Sequence, residues 1–317
     1  MVHDHQHGPA GQHEPHPHPH AHHHGPNSYE RAFAIGLTLN LAIVVGQATF
    51  GVLANSLALI ADAGHNLADV LALILAWSAI ALSRRTPTLH RTYGWRRSTI
   101  LATLVNALVL ILVTLAIAAQ AVRRLADPSP IAATTVIWVA AGAAVLNGLV
   151  AALFMAGRER DMNIRGAFMH MAADAALSFG VVLAGCVILA TGWVWLDAVT
   201  GLVIGAAILA GTWGLLRDAL NLSLDAVPAG IDMPAVQAYL AALPGVVGIH
   251  DLHVWAMSTT ETALTAHLVV AQATLDDALL AEAIEELDER FGIEHTTLQV
   301  EHGDPNYQCI QAEAHAV

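Results

Sequence analysis

His65 and Asp69 stand four residues apart in a long apolar run, and His170 and Asp174 repeat that spacing far downstream. Positions i and i+4 share one face of an α-helix, so each pair offers an imidazole and a carboxylate side by side. An aspartate at bilayer depth is costly, and its default reading is a pathway or a binding site. Two imidazole nitrogens and two carboxylate oxygens make a donor set for tetrahedral Zn2+ that also tolerates Co2+ or Cd2+. Mg2+ and Ca2+ prefer all-oxygen shells and fit it poorly. The two carboxylates balance the charge of a dication and so lower the cost of holding it inside a membrane. Imidazoles bind metal only when neutral, so protons and metal compete for the same nitrogens. That competition is what an exchanger of metal for protons needs.

The first pair sits in Ser56-Leu57-Ala58-Leu59-Ile60-Ala61-Asp62-Ala63-Gly64-His65-Asn66-Leu67-Ala68-Asp69. Asp62, His65, Asn66 and Asp69 fall on one helical stripe. Asp62 is expected behind the ligands or at the mouth of the site. Asn66, and Ser178 one turn beyond Asp174, are expected to make hydrogen bonds between helices.

The elements that must bring the pairs together follow from composition. Of 317 residues, 56% are hydrophobic and 12% charged, against about a quarter charged in a soluble globule. Six apolar runs, at about 32–54, 57–82, 98–122, 131–156, 166–191 and 195–216, each approach the ~20 residues a helix needs to span a bilayer. The polar N-terminus lacks the features of a secretory signal, which leaves the first apolar helix to direct membrane insertion.

All 13 basic residues are arginine. With both termini on one side, that side collects Arg31, Arg84, Arg85, Arg91, Arg96, Arg97, Arg158, Arg160, Arg165 and Arg217, and the other keeps Arg123 and Arg124. The excess of arginine places both termini in the cytoplasm, with Trp193 and Trp195 at the outer interface. The formal net charge of −13 argues against a nucleic-acid partner. Cys186 and Cys309 form neither a disulfide framework nor a zinc-finger spacing.

The chain thus divides into a His-rich tail (1–28), a six-helix membrane domain (29–217), a polar C-terminal domain (218–305) and a short tail (306–317). The first tail holds ten histidines and too little apolar surface to fold; weak scavenging of divalent metals fits its imidazoles. In the C-terminal domain, Asp232 caps a helix through Leu243, strands run over Val246–Met257 and Ala263–Ala271, and Thr274 opens a capping box. The helix that follows ends at Phe291-Gly292, and Glu294–Glu301 forms a third strand. The order αββαβ predicts a small sheet with helices on it.

These motifs carry a resemblance. The Ser56–Asp69 stretch resembles the cation diffusion facilitator family, as do Thr92-Tyr93-Gly94-Trp95-Arg96-Arg97 leading to Leu101–Asn106 and Asn163-Ile164-Arg165-Gly166-Ala167-Phe168-Met169-His170-Met171-Ala172-Ala173-Asp174. His250-Asp251-Leu252-His253-Val254-Trp255-Ala256-Met257-Ser258 fits the same family, most of all its bacterial zinc, cadmium and cobalt efflux branch. The resemblance implies a homodimer in the bacterial inner membrane and a metallochaperone-like cytoplasmic domain. It also implies exchange of Zn2+ for H+ by alternating access through His65, Asp69, His170 and Asp174. For the cytoplasmic domain it implies a second, regulatory zinc site at His250, His267, His302 and Asp304, with a further ligand near Asp277. His253 and His295 are expected as ordinary strand histidines. The chain departs from the family in placing Ser98-Thr99 after Arg97 where many members have R-x-E. Its loop offers only His90 to a metal, so no loop site is expected.

Two other functions compete. A membrane-embedded metal sensor would use the tail and the soluble domain, but has no need of ligands inside the bilayer. An intramembrane metallohydrolase needs an open coordination position and a general base such as the Glu of HExxH, and no such motif is present.

Overall fold

The computed structural model describes residues 28–155, 162–271, 276–303 and 309–312. The histidine-rich tail lies outside them. Six helices come first: α1 (Ser28–Leu53), α2 (Leu57–Ser83), α3 (Ser98–Ala126), α4 (Ala133–Phe154), α5 (Met162–Thr191) and α6 (Trp195–Ser223). Five of them are long and apolar enough to cross a membrane, and α1 contributes a shorter apolar segment, Leu37–Leu53. Six spans therefore stand where the apolar runs predict them. α6 continues to Ser223, so the expected boundary at 217 falls inside a helix.

Small residues let the helices approach closely. The shared core is built on Ala54, Ala58, Ala61 and Ala140 with Leu59, Ile117, Val136, Val181, Ile204 and Ile208. At Gly185 of α5 an added Cβ would lie 2.8 Å from Cγ1 of Ile137 on α4, so that crossing requires glycine. The bundle's outward surface exposes Val52, Trp77, Trp138 and Leu112, as expected where lipid is the solvent. Trp193 and Trp195 stack with centroids 6.0 Å apart at the α5–α6 turn.

The C-terminal domain holds α7 (Met233–Ala241), β1 (Val246–Ala256), β2 (Thr262–Val270), α8 (Asp277–Phe291) and β3 (His295–Glu301). β2 is central, antiparallel to β1 and parallel to β3. One face of the sheet packs Val254, Leu264, Ala266 and Leu268 against Val236 and Leu240 of α7 and Ala283 and Leu287 of α8. The alternating face of β2 carries Thr265, His267 and Val269. Asp232 caps α7 by accepting from the Ala235 N–H, as expected. α8 is capped instead at Asp276, whose carboxylate accepts from the Leu279 N–H. The expected cap, Thr274, lies outside the described residues. Gly292 ends α8 in the left-handed region, φ 66°, where glycine has no steric penalty.

The domain docks at the arginine-bearing end of the bundle. Arg96 pairs with Glu261 at 2.9 Å, the Thr259 N–H donates to Thr99 Oγ1, and Arg97 pairs with Asp225.

Candidate metal centres

The two i,i+4 pairs meet. His65 Nε2 lies 3.2 Å from Asp174 Oδ1 and 3.8 Å from Asp69 Oδ2. His170 Nε2 lies 3.4 Å from Asp69 Oδ2 and 3.6 Å from Asp174 Oδ2. A tetrahedral ion with bonds of ~2.1 Å separates its ligand atoms by ~3.4 Å; His65, Asp69 and Asp174 each bring one ligand atom within 4.8 Å of the others, and His170 joins them through its contacts to the two carboxylates. Asp174 is almost fully buried, while His170 is 43% exposed. Asp69 Oδ2 and Asp174 Oδ2 are buried acceptors with no hydrogen-bond partner. Buried unpartnered carboxylate oxygens are expensive unless a cation or a donor reaches them.

A cavity of about 460 Å3 reaches Asn40, Asp69 and His170 between α1, α2, α4 and α5, walled otherwise by apolar residues such as Leu73, Ala76, Phe154 and Met171. Ala76 of α2 and Gly166 of α5 lie on the arginine-bearing side of the pairs, so the cavity extends toward that end. On the other side of the site a polar layer fills the bundle. Asp62 accepts from Gln47 of α1 and, at 2.8 Å, from Ser178 of α5. Asn66 donates to Gln47 at 2.9 Å. Asn66 and Ser178 thus make the interhelical hydrogen bonds expected of them, and Asp62 sits behind the ligands rather than at the cavity mouth. Gln47 carries no metal-binding pattern, and sequence reasoning passed over it.

A second cluster lies on the helix-free face of the C-terminal sheet. His250 of β1 is paired in register with His267 of β2, and their rings are 4.9 Å apart. Glu301 bridges them, with Oε2 3.1 Å from His250 Nε2 and Oε1 2.7 Å from His267 Nδ1. Cys309 Sγ lies 3.6 Å from His267 Nδ1. One ligand atom from each of these four side chains falls within 4.8 Å of the others. A bulge between His250 and His253 puts Asp251 at φ 50°. That bend turns its carboxylate to within 3.5 Å of His267 and 2.9 Å of His253. Burial raises the Glu301 carboxyl, but hydrogen bonds from His250, His267, Cys309 and Gln299 outweigh it and hold the group below its ordinary value.

Comparison with known proteins identifies the family. Residues 33–222 match the cation efflux transmembrane domain, and residues 228–303 match the cytoplasmic domain of cation efflux proteins. The chain belongs to the cation efflux, or cation diffusion facilitator, family. Among its relatives, the cation efflux system protein CzcD of Alcaligenes sp. (strain CT14) is 36% identical over 290 residues, 91% of this chain and 90% of that protein. The zinc transporter ZitB of Escherichia coli (strain K12) is 34% identical over 304 residues, 95% and 93% of the two chains. The cadmium, cobalt and zinc/H(+)-K(+) antiporter of Bacillus subtilis (strain 168) is 32% identical over 286 residues, 87% and 92% of the two chains.

Against the pattern of the cation efflux family, the cytoplasmic cluster is only partly the expected one. His250 and His267 come together as the resemblance implies. Glu301 takes the third place because β3 alternates: Gln299 and Glu301 share the face of His267, and the next residue, His302, is exposed. Asp304 lies outside the described residues, and Asp277 is exposed at the start of α8. Glu301, Cys309 and Asp251 were missed. A signal for Glu301 existed, since strand alternation from Leu298 and Val300, which belong to the core side, assigns it to the histidine face.

Proposed function

We propose that this member of the cation efflux family expels Zn2+ from the cytoplasm in exchange for protons, with His65, Asp69, His170 and Asp174 as ligands of the transported ion. The observation that carries the reading is the convergence of both i,i+4 pairs, from α2 and α5, at one end of a cavity that extends toward the arginine-bearing side. A set of two imidazoles and two carboxylates selects Zn2+, with Cd2+ and Co2+ as its near competitors, over Mg2+ and Ca2+. Relatives named as zinc transporters and as a cadmium, cobalt and zinc antiporter support the same substrate class.

The arginine-bearing end is the cytoplasmic one in this reading, and both termini lie there in a bacterial inner membrane. The cavity then loads the site from the cytoplasm. Coordination strips water from the ion and requires neutral imidazoles. When the site faces outward, protons displace the ion, and protonated side chains return. The protein works as a homodimer. A regulatory Zn2+ at His250 and His267 holds the cytoplasmic domains in the transport-competent arrangement. The family pattern assigns that ion His302 and Asp304 as further ligands; the side-chain cluster supports Glu301 and Cys309 in their place.

The test is Zn2+ flux in proteoliposomes under an imposed pH gradient. Flux driven by the gradient and lost in Asp174→Ala is the expected result. Flux indifferent to the gradient would remove the exchange of protons, and normal flux in Asp174→Ala would remove the site.

A further inference from the structure

α1 and α2 run antiparallel from the turn at Asn55, and their register is fixed by a contact between Gln47 and Asp62. Gln47 lies eight residues before Asn55 and Asp62 seven after it. Asn40 and Asp69 each lie seven residues further from the turn. Seven residues are close to two helical turns, so both side chains keep the faces that Gln47 and Asp62 present to one another. The chain therefore sets an amide opposite a carboxylate twice along one helix pair.

The two couples differ in what satisfies them. At the inner layer the Gln47 amide donates to Asp62. At the cavity layer, Asn40 Oδ1 and Asp69 Oδ2 are both buried with no hydrogen-bond partner. Asn40 is only 6% exposed, and it lines the cavity together with Asp69 and His170, the other two hydrogen-bonding side chains there. An amide carbonyl oxygen and a carboxylate oxygen are both acceptors. Neither satisfies the other. Asp69 Oδ2 has the imidazoles of His170 and His65 at 3.4 and 3.8 Å, and a cation, or the outward-pointing hydrogens of water bound to a cation, reaches it and the Asn40 oxygen together.

We infer that Asn40 is a positioning residue for the transported ion, one that no metal-ligand pattern in the sequence marks. Its carbonyl oxygen accepts a hydrogen bond from the water shell of a hydrated divalent cation in the cavity and turns the ion toward Asp69. There the shell is exchanged for the four protein ligands. Asn40 is neutral, so it directs the ion without adding a charge that would hold it in place. This inference rests on the proposed use of the His65, Asp69, His170 and Asp174 site.

The experiment compares Asn40→Leu and Asn40→Asp with the unaltered full-length protein, in reconstituted Zn2+ flux and in stopped-flow Zn2+ association in detergent. The association measurement uses a His250→Ala, His267→Ala background, which silences the cytoplasmic cluster; the flux measurement keeps that cluster intact. Asn40→Leu keeps the branched shape and removes the oxygen; it should raise KM about fivefold or more with kcat within about twofold, the signature of lost ground-state positioning. The Zn2+ association rate should fall by the same factor, and Asn40→Asp, which restores an oxygen, should recover it. A KM and an association rate within about twofold of the unaltered protein would overturn the inference. So would a fall in kcat with KM unchanged, or a loss that Asn40→Asp does not rescue. Asp174→Ala separates the two layers of the reading. If the unaltered protein carries no Zn2+, or Asp174→Ala carries it normally, the transport site fails. The association rate of Asn40→Leu then still decides whether Asn40 meets the ion.

Discussion

The carboxylate of Asp197, in the first turn of α6, caps a different helix: it accepts from the hydroxyl of Ser56 and, at 2.6 Å, from the Leu57 N–H at the start of α2. A helix start leaves several N–H groups without partners and favours negative charge. Ser56 satisfies one of them itself by accepting from the Leu59 N–H. Arg124 of α3 lies 3.8 Å from Asp197 and donates to the backbone and side chain of Asn55. Asn55 in turn donates to Ser129 and Pro130, ahead of α4. The end of the bundle away from the arginine-rich loops is thereby closed by one polar knot.

Removing the carboxylate should loosen that end. Asp197→Ala is expected to cost roughly 2–4 kcal/mol, because Ser56, Leu57 and Arg124 all lose a buried charged acceptor. Asp197→Asn keeps an acceptor and should cost about half as much. Thermal unfolding of the detergent-solubilised protein measures both. A loss under about 1 kcal/mol for the alanine variant would show that the knot does not anchor α2.

Docking contacts at the opposite end should behave otherwise. Arg96 and Glu261 are 39% and 36% exposed, so their pair is solvent-screened and worth about 0–1 kcal/mol. Arg96→Ala should shift the unfolding midpoint little, and less again in high salt. A loss above about 2 kcal/mol would mean that this pair, rather than the chain connection through α6, holds the C-terminal domain in place.

The chemistry of the transported ion should follow its donor set. His65→Asp replaces an imidazole nitrogen by an oxygen and should move preference from Zn2+ toward Mn2+, which favours oxygen ligands. Competition of Mn2+ and Cd2+ against Zn2+ flux reads the change. Asp174→Asn keeps the shape of the site and removes one of two balancing charges, so Zn2+ affinity should fall by about tenfold or more. Unchanged metal ranking in His65→Asp would place the selective step away from this site.

What could be read from the residues was whatever local pattern and hydropathy fix. Six apolar runs and two i,i+4 pairs each follow from a short window, and the structure places them as expected. Gln47 and Asn40 could not be read, because a single amide in an apolar run has no pattern of its own; their meaning lies in the register of α1 against α2. Nothing local marks Asp197, which stands in the first turn of its own helix and caps another. In the C-terminal domain the family resemblance named His302 and Asp304 as the partners of His250 and His267. His302 continues a family motif, whereas the parity of β3 sends Glu301 to their face.

Cys309 offers a sharper test of the cytoplasmic cluster. A thiolate prefers soft ions, so Cys309→Ser should weaken Cd2+ binding there by about tenfold or more, and Zn2+ binding by less. Binding is measured in a background of Asp174→Ala, which silences the membrane site. Equal affinities before and after the substitution would remove Cys309 from the ligand set and return the place to His302 or Asp304.

Glu301 predicts a pH dependence in metal-free protein. Its hydrogen bonds from the two histidines, Cys309 and Gln299 outweigh burial, so the folded-state value lies below the ordinary 4.5. A carboxyl depressed on folding stabilises the protein above its unfolded value, and that contribution is lost as pH falls through the folded value. Glu301→Gln should therefore unfold at a lower temperature than the unaltered protein in chelator at neutral pH. The difference should stay constant down to the ordinary value of 4.5 and shrink only below it. Melting curves taken from about pH 7 down to about pH 3.5 give the profile. A difference that closes near pH ~6.5, where free imidazoles titrate, would assign it to a histidine instead.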